Sequence, residues 1–279
     1  MLQFTQKQPH PALRHYLRGY WLIEAGDTME TLELVPDGYP EIFFTLAASV
    51  RIFSGGKRWQ QHAQAGLIGQ TSGRFAFEPA AGSRVLYVKL YPWAPAALFH
   101  IPAWQLTDVA LEMEAVSSDP AFRNLSDQIY TAENFDQATT LLDAFFLKKM
   151  ASVSGKMPYL PFAVQQIYAS NGTVGMDQLT TRVHASRRYL EKIFKEGIGM
   201  SPKQYARIIR VKKASMYMLD PGFTGNLQTI ADALQYYDQS HFLKDFKAVV
   251  RQTPTAFLQQ QPNFPIEGIK AYLGQWDYS

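Results

Sequence analysis

The sequence predicts an α+β protein of two domains. Residues 1–150 read as a small β-barrel or sandwich with helices after it; across a linker at 151–161, residues 162–262 read as an all-α domain of two helix-turn-helix units joined by one long helix. Three observations carry this expectation. The first hundred residues offer short apolar runs split by turn residues, the residues beyond 162 space their apolar side chains by three and four, and Ser152, Ser154, Gly155, Pro158 and Pro161 separate the two textures. A length of 279 residues suits two units, each large enough to bury a core of its own.

In the first unit the strand-like runs are 41–46, 51–53, 66–69, 74–77 and 84–91. Pro36-Asp37-Gly38 has turn chemistry, because Pro presets φ, Asp can close an Asx-turn and Gly accepts a positive φ. Gly55-Gly56 marks another reversal. Along 84–91, Val85, Tyr87, Lys89 and Tyr91 alternate with Leu86, Val88 and Leu90, the pattern of a strand with one face on a core. Helical spacing then begins at 95–100 and returns at 119–129 and 135–150, the last with Leu141, Leu142, Phe145 and Phe146 on one side.

Beyond the linker, two stretches repeat one design: a short helix, a tight connection, then a helix with a basic and amide-rich polar face. In the first, residues 174–183 lead to Ser186, a candidate N-cap, and to a helix over about 187–196 whose buried stripe is Leu190, Ile193 and Phe194. Arg187, Arg188, Glu191, Lys192 and Lys195 then face outward, with Arg188 and Lys192 stacked four apart. In the second, residues 227–234 lead to Asp238 as the cap of a helix to about 249, anchored by Phe242 and Phe246. Gln239, Ser240, His241, Lys244 and Lys247 are left for solvent or a ligand, and amide, hydroxyl and ammonium groups together suit base edges and phosphates. Glu191 serves either such a ligand or an ion pair with Arg187 or Arg188, and His241 either touches the ligand or caps and packs. Between the two stretches, 202–219 opens with Pro and holds no breaker before Pro221-Gly222, so it reads as one helix of about 27 Å. Arg207, Arg210, Lys212 and Lys213 would keep that helix soluble and reach a phosphate backbone.

Charge separates along the chain. Residues 1–155 hold 12 Lys and Arg against 15 Asp and Glu, whereas residues 156–262 hold 14 against 7. A basic second half points to a polyanion, with a solvated basic face as the plainer reading. The absence of cysteine removes disulfides, thiolate nucleophiles and Cys-based metal sites and suits a reducing cytoplasm. No run of eighteen apolar residues exists, and the N-terminus lacks the apolar core of a secretory signal, so neither a membrane span nor export is expected. His10, His15, His62 and His100 are scattered and form no His-x-His pair; no Gly-x-Ser-x-Gly elbow or phosphate-binding glycine loop occurs. No catalytic residue, metal or cofactor is therefore expected, and a barrel-type enzyme stands as the weaker alternative.

The run Gly199-Met-Ser-Pro-Lys-Gln-Tyr205, with Arg210, Ala214, Ile230-Ala231, Tyr236-Tyr-Asp-Gln-Ser-His-Phe242, Asp245-Phe-Lys247 and Thr253-Pro254, resembles the DNA-binding domain of the AraC/XylS family of transcription regulators over about 167–258. The resemblance implies duplex DNA as partner and places base-facing positions on Arg188, Glu191 and Lys192 and on Gln239, Ser240 and Lys244. Gln235 and Arg251 stand where the family usually has glycine, so those turns ask a positive φ of side-chain-bearing residues at about 1 kcal/mol. Regulators of this kind usually carry an N-terminal β-barrel, often cupin-like, that binds a small effector or pairs subunits. Pro36-Asp-Gly-Tyr-Pro-Glu-Ile-Phe-Phe44, Gly69-Gln70 and Leu90-Tyr-Pro92 resemble the sensor domain found on one branch of the family. Trp21, Tyr39, Phe43, Tyr87 and Trp93 suit either an effector pocket or plain core. The resemblance implies a cytoplasmic regulator, such as an activator, with RNA polymerase and a second copy of the chain as further partners; DNA binding without an effector is the alternative. Ile266, Ile269, Tyr272, Leu273 and Trp276 give the tail at 263–279 a helical apolar stripe, expected to pack on a domain or on a second subunit.

Overall fold

The computed structural model describes residues 2–27, 31–54, 60–62, 64–116, 119–153, 159–220 and 222–259. The tail read as helical at 263–279 lies outside them. Ten strands lie among the described residues: β1 Leu2–Lys7, β2 Leu17–Ala25, β3 Leu32–Leu34, β4 Glu41–Ala47, β5 Val50–Ser54, β6 Gln60–His62, β7 Ala65–Ile68, β8 Phe75–Pro79, β9 Arg84–Leu90 and, after the first helix, β10 Ala110–Glu112. They form two antiparallel sheets, one of six strands in the order β1-β2-β9-β4-β7-β10 and one of four in the order β3-β8-β5-β6. The barrel-like unit is thus two facing sheets: Trp21, Phe43 and Tyr87 from the larger pack with Val50, Ile52, Phe75 and Phe77 from the smaller.

All five strand runs read from the sequence are strands, and β1, β2 and the three-residue strands β3, β6 and β10 join them. The longest of these, β2, was missed because Gly19, Arg18 and Glu24 blur its alternation, and its register also shifts between Leu17 and Gly19. One expectation needs correcting: β9 is buried on both faces. Val85 and Tyr87 face the small sheet, while Leu86, Val88 and Leu90 face helices α1 Ala94–Phe99, α2 Met113–Val116, α3 Pro120–Tyr130 and α4 Phe135–Met150. A central strand covered by a sheet on one side and helices on the other needs no polar face, so Lys89 lies in the interior with no exposed side-chain surface.

Helix α5 spans Tyr159–Ala169 and opens inside the stretch read as linker, with Pro161 in its first turn where a missing N–H costs no helical bond. Then come α6 Met176–Val183, α7 Arg187–Gly197, α8 Pro202–Met218, α9 Leu227–Ala233, α10 Gln239–Val250 and α11 Pro254–Gln259. Their core includes three residues of the first domain, Val35, Tyr39 and Trp93. Among the described residues, no helix is long and apolar enough to cross a membrane.

Candidate nucleic-acid interface

Each recognition helix starts where its cap dictates. The Ser186 hydroxyl accepts from the Tyr189 amide at 3.3 Å, and the Asp238 carboxylate accepts from the His241 amide at 2.7 Å, satisfying N-terminal donors that would otherwise lack partners. Leu190, Ile193 and Phe194 are buried under α7, and Phe242, Phe246, Val249 and Val250 under α10. At about 1.5 to 3 kcal/mol for each large apolar side chain buried, these stripes fix which face of each helix looks outward. Arg187, Arg188, Glu191, Lys192 and Lys195 are exposed on α7; on α10, Ser240, His241, Lys244 and Lys247 are exposed and Gln239 half-buried.

Turn geometry preserves both helix-turn-helix units despite the absent glycines. Gln235 has φ 55° and Arg251 φ 64°, so both enter the left-handed region that the family usually gives to glycine. His184 does the same in the first unit, at φ 52°.

Helix α8 is continuous from Pro202 to Met218, about 25 Å at 1.5 Å per residue. A reciprocal cap starts it: Gln204 N–H donates to Ser201 Oγ at 3.3 Å, and Ser201 N–H donates to Gln204 Oε1 at 3.0 Å. Between the two units lies a cleft of about 700 Å³ that brings together Arg187 and Glu191 of α7, His241 and Lys244 of α10, and Lys203, Arg207 and Arg210 of α8. Arg188, Lys192, Gln239 and Ser240 lie outside the cleft lining.

Several of these side chains already have partners. Arg187 pairs with Glu191 at 3.1 Å, the ion-pair alternative for Glu191. His241 lies edge-on to Tyr236, with ring centroids 5.3 Å apart and its imidazole 4.0 Å from Asp245, so packing and exposure coexist there. The cations of α8, expected to keep the rod soluble and reach a phosphate backbone, also bind within the protein, and for Lys212 the expectation is corrected. Arg207 pairs with Asp245 at 3.0 Å, tying the rod to the second unit. Arg210 donates to the Gly172 carbonyl at 3.2 Å while its guanidinium covers the Tyr236 ring at 4.8 Å, joining the first unit to the second. Burial, with the Asp245 carboxylate nearby, pushes the Tyr236 phenol well above its ordinary range and keeps that ring neutral. Lys212 is only 3% exposed, because the first domain covers its face of the rod.

The five aromatics offered as pocket or core separate. Trp21, Phe43 and Tyr87 meet between the sheets, whereas Tyr39 and Trp93 sit in the core of the helical domain. Sequence reasoning overlooked Tyr237, 93% exposed beside the cap of α10. Its neighbour Tyr236 is buried, and nothing in the pair of adjacent tyrosines tells which one turns inward.

Two family models match this chain, one in each domain. Residues 179–260 match the model of a helix-turn-helix domain, and residues 5–112 match a domain of unknown function (DUF6597). The uncharacterized HTH-type transcriptional regulator YtdP of Bacillus subtilis (strain 168) is 24% identical over 144 residues, which cover 49% of this chain and 18% of that protein. The Msm operon regulatory protein of Streptococcus mutans is 22% identical over 142 residues, half of each chain. The alignments therefore span half or less of these relatives' length. Among solved structures, ToxT from Vibrio cholerae O395 aligns with a TM-score of 0.47 at 10% identity, over 94% of this chain and 98% of that one. Residues 179–260 thus match a helix-turn-helix domain, set behind the segment that matches DUF6597.

Proposed function

We propose that this chain is a transcription regulator that reads duplex DNA with α7 and α10 in successive major grooves. The observation that carries this reading is the arrangement of two capped, outward-facing basic helices around one cleft, floored by Lys203, Arg207 and Arg210 of one unbroken rod. A rod of about 25 Å that joins two helix-turn-helix units along the chain suits reading of two grooves roughly 34 Å apart. Arg188 and Lys192, four residues apart, serve guanine edges or flanking phosphates; Gln239, Ser240 and Lys244 serve the second groove. Arg187, Glu191 and His241 line the cleft and steer these contacts.

The chain acts by binding rather than catalysis, in the cytoplasm. The N-terminal domain responds to a small molecule, with the Trp21, Phe43 and Tyr87 cluster between the sheets as the effector region, and RNA polymerase and a second subunit complete the regulatory assembly.

Selection of bound duplexes from a random pool, followed by footprinting, tests the reading: two protected segments about one helical turn apart are expected. Arg188→Ala or Lys244→Ala weakens binding to the selected site by about 1 to 3 kcal/mol, measured by titration of labelled DNA. A pool that does not enrich, or variants that bind like the parent, would remove α7 and α10 as reading heads. For the effector, a thermal-shift screen of metabolites should find at least one stabilising ligand, and Phe43→Ala should abolish that shift.

A further inference from the structure

The three sequence fragments that mark the N-terminal domain converge at one place, and it is the junction with the helical domain. The Gln70 side-chain amide donates to the Gly38 carbonyl at 2.8 Å, and the Leu90 amide donates to the Pro40 carbonyl at 2.9 Å. This fixes the 36–40 loop, closed by an Asx-turn in which the Tyr39 amide donates to Asp37 Oδ1 at 3.0 Å. The carbonyls of the loop then accept from the helical domain: Tyr168 Oη donates to Asp37 O at 2.7 Å, and Tyr205 Oη donates to Gly38 O at 3.2 Å. Gly38 has φ 84°, and a Cβ there would lie 2.8 Å from Tyr168 Oη and 2.9 Å from Tyr205 Oη, so the fit leaves no room for a side chain.

Contacts also reach both helix-turn-helix units. Thr107 donates to the Gly199 carbonyl, just before the rod, at 3.0 Å. At the far end, Leu219 packs on the cluster between the sheets, and a Cβ at Gly73 would meet Arg251 Nε at 3.4 Å. Along α8, Tyr205, Ile209 and Lys212 face the first domain, whereas Lys203, Arg207 and Arg210 line the cleft. Each of these sets repeats at i, i+4 and i+7, and two residues of offset at about 100° apiece put them on opposite sides of one rod. A movement of the 36–40 loop is therefore a movement of the cleft floor.

We propose that the 36–40 loop, with Tyr168 and Tyr205 as positioning residues, sets the separation and angle of the two recognition helices and so determines which half-site spacing the protein accepts. This rests on the DNA-reading function proposed above. The two ends of α8 are each braced by the first domain, while the recognition residues on α7 and α10 remain exposed in the braced state. The brace gauges the reading heads without covering them.

The test uses the full chain and duplexes selected by it, with the spacer between the two protected segments lengthened by one or two base pairs. The parent protein should lose about tenfold in affinity for each inserted pair, the scale of one mismatched pair. The double variant Tyr168→Phe/Tyr205→Phe keeps both rings and loses both loop hydrogen bonds. It should bind a duplex holding one half-site within about twofold of the parent, yet lose less than threefold per inserted pair. Thr107→Val, which releases the rod entrance without touching the core rings, should relax the spacing penalty in the same direction and serves if the double variant does not fold. An unchanged spacing penalty in the folded variants overturns the proposal while leaving DNA reading intact. Failure of the parent to select any duplex overturns the DNA reading itself.

Discussion

Lys89 shows what a single interior charge does here. It lies in the central strand with no exposed surface, its ammonium 2.5 Å from Asp37 and 3.3 Å from Glu41. Burial alone would raise the Asp37 carboxyl, but the charges of Lys89 and Lys212 and the Tyr39 amide outweigh it and hold Asp37 below its ordinary value. Lys89→Met removes the cation nearest two interior carboxylates and should lower the unfolding free energy by about 3 to 5 kcal/mol, read from urea denaturation. Lys212 is the opposite case: burial lowers it to about 7, against the attraction of Asp37 and with Arg18, Lys89 and Lys213 adding repulsion. Its ammonium also lies 5.4 Å from the Tyr39 ring and 5.8 Å from Tyr168. A lysine depressed in the folded state binds fewer protons there than in the unfolded chain, so its contribution to stability is absent below pH 7 and grows as pH rises toward 10.5. Relative to Lys212→Met, the parent's folding equilibrium should strengthen with pH across that window, by up to about tenfold per pH unit. Parallel pH profiles for the two proteins would show that Lys212 keeps its proton.

At the scale of elements, the informative joints are the turns. In the second unit, Gln235 bridges α9 and α10 at φ 55°, where L side chains are strained and glycine is not. Gln235→Gly should therefore stabilise the protein by up to about 1 kcal/mol, since relief of strain exceeds the entropy glycine adds to the unfolded chain. Calorimetry decides this, and a lower Tm would mean that the Gln235 side chain contributes something its exposure hides. Arg251 is a different joint despite a similar φ, because its guanidinium approaches Gly73 and thereby links the end of α10 to the first domain. Helix starts, by contrast, follow local rules: Ser186, Ser201, Asn226 and Asp238 each accept from an amide three residues on.

Across the whole molecule, the two domains share a core and a charge pattern. Val35, Tyr39 and Trp93 complete the interior of the helical domain, and the interdomain hydrogen bonds of Tyr168, Tyr205 and Thr107 close the same seam. Part of the basic excess of the second half, 14 against 7, lies on the opposite side of α8, where Lys203, Arg207, Arg210 and Lys244 converge on the cleft. Binding to DNA through that side should weaken steeply with salt, with log K falling by about 0.9 for each neutralised phosphate per unit of log salt concentration. Lys203→Ala should reduce the magnitude of that slope by about one while weakening all sequences alike. A salt-independent complex would sink the cleft as a phosphate channel.

Much of the helical domain was legible from local chemistry alone. Caps at Ser186 and Asp238, Pro202 at the head of the rod and the apolar stripes of α7 and α10 are short-range statements, and short-range hydrogen bonds and burial fix them. The same periodicity turned the candidate DNA-facing residues of both helices outward, since a helix with one buried face has only one other to offer. What only the tertiary structure decided is which side of a rod, or of a strand, finds a partner. Lys212 and Arg207 look alike in sequence, yet one is buried against the 36–40 loop and the other spans the cleft. Tyr39 and Phe43 look like neighbours on one pocket wall, yet they serve different cores. Those outcomes depend on contacts between residues in different elements, far apart along the chain, and a burial pattern read along the chain carries no information about what lies across from it.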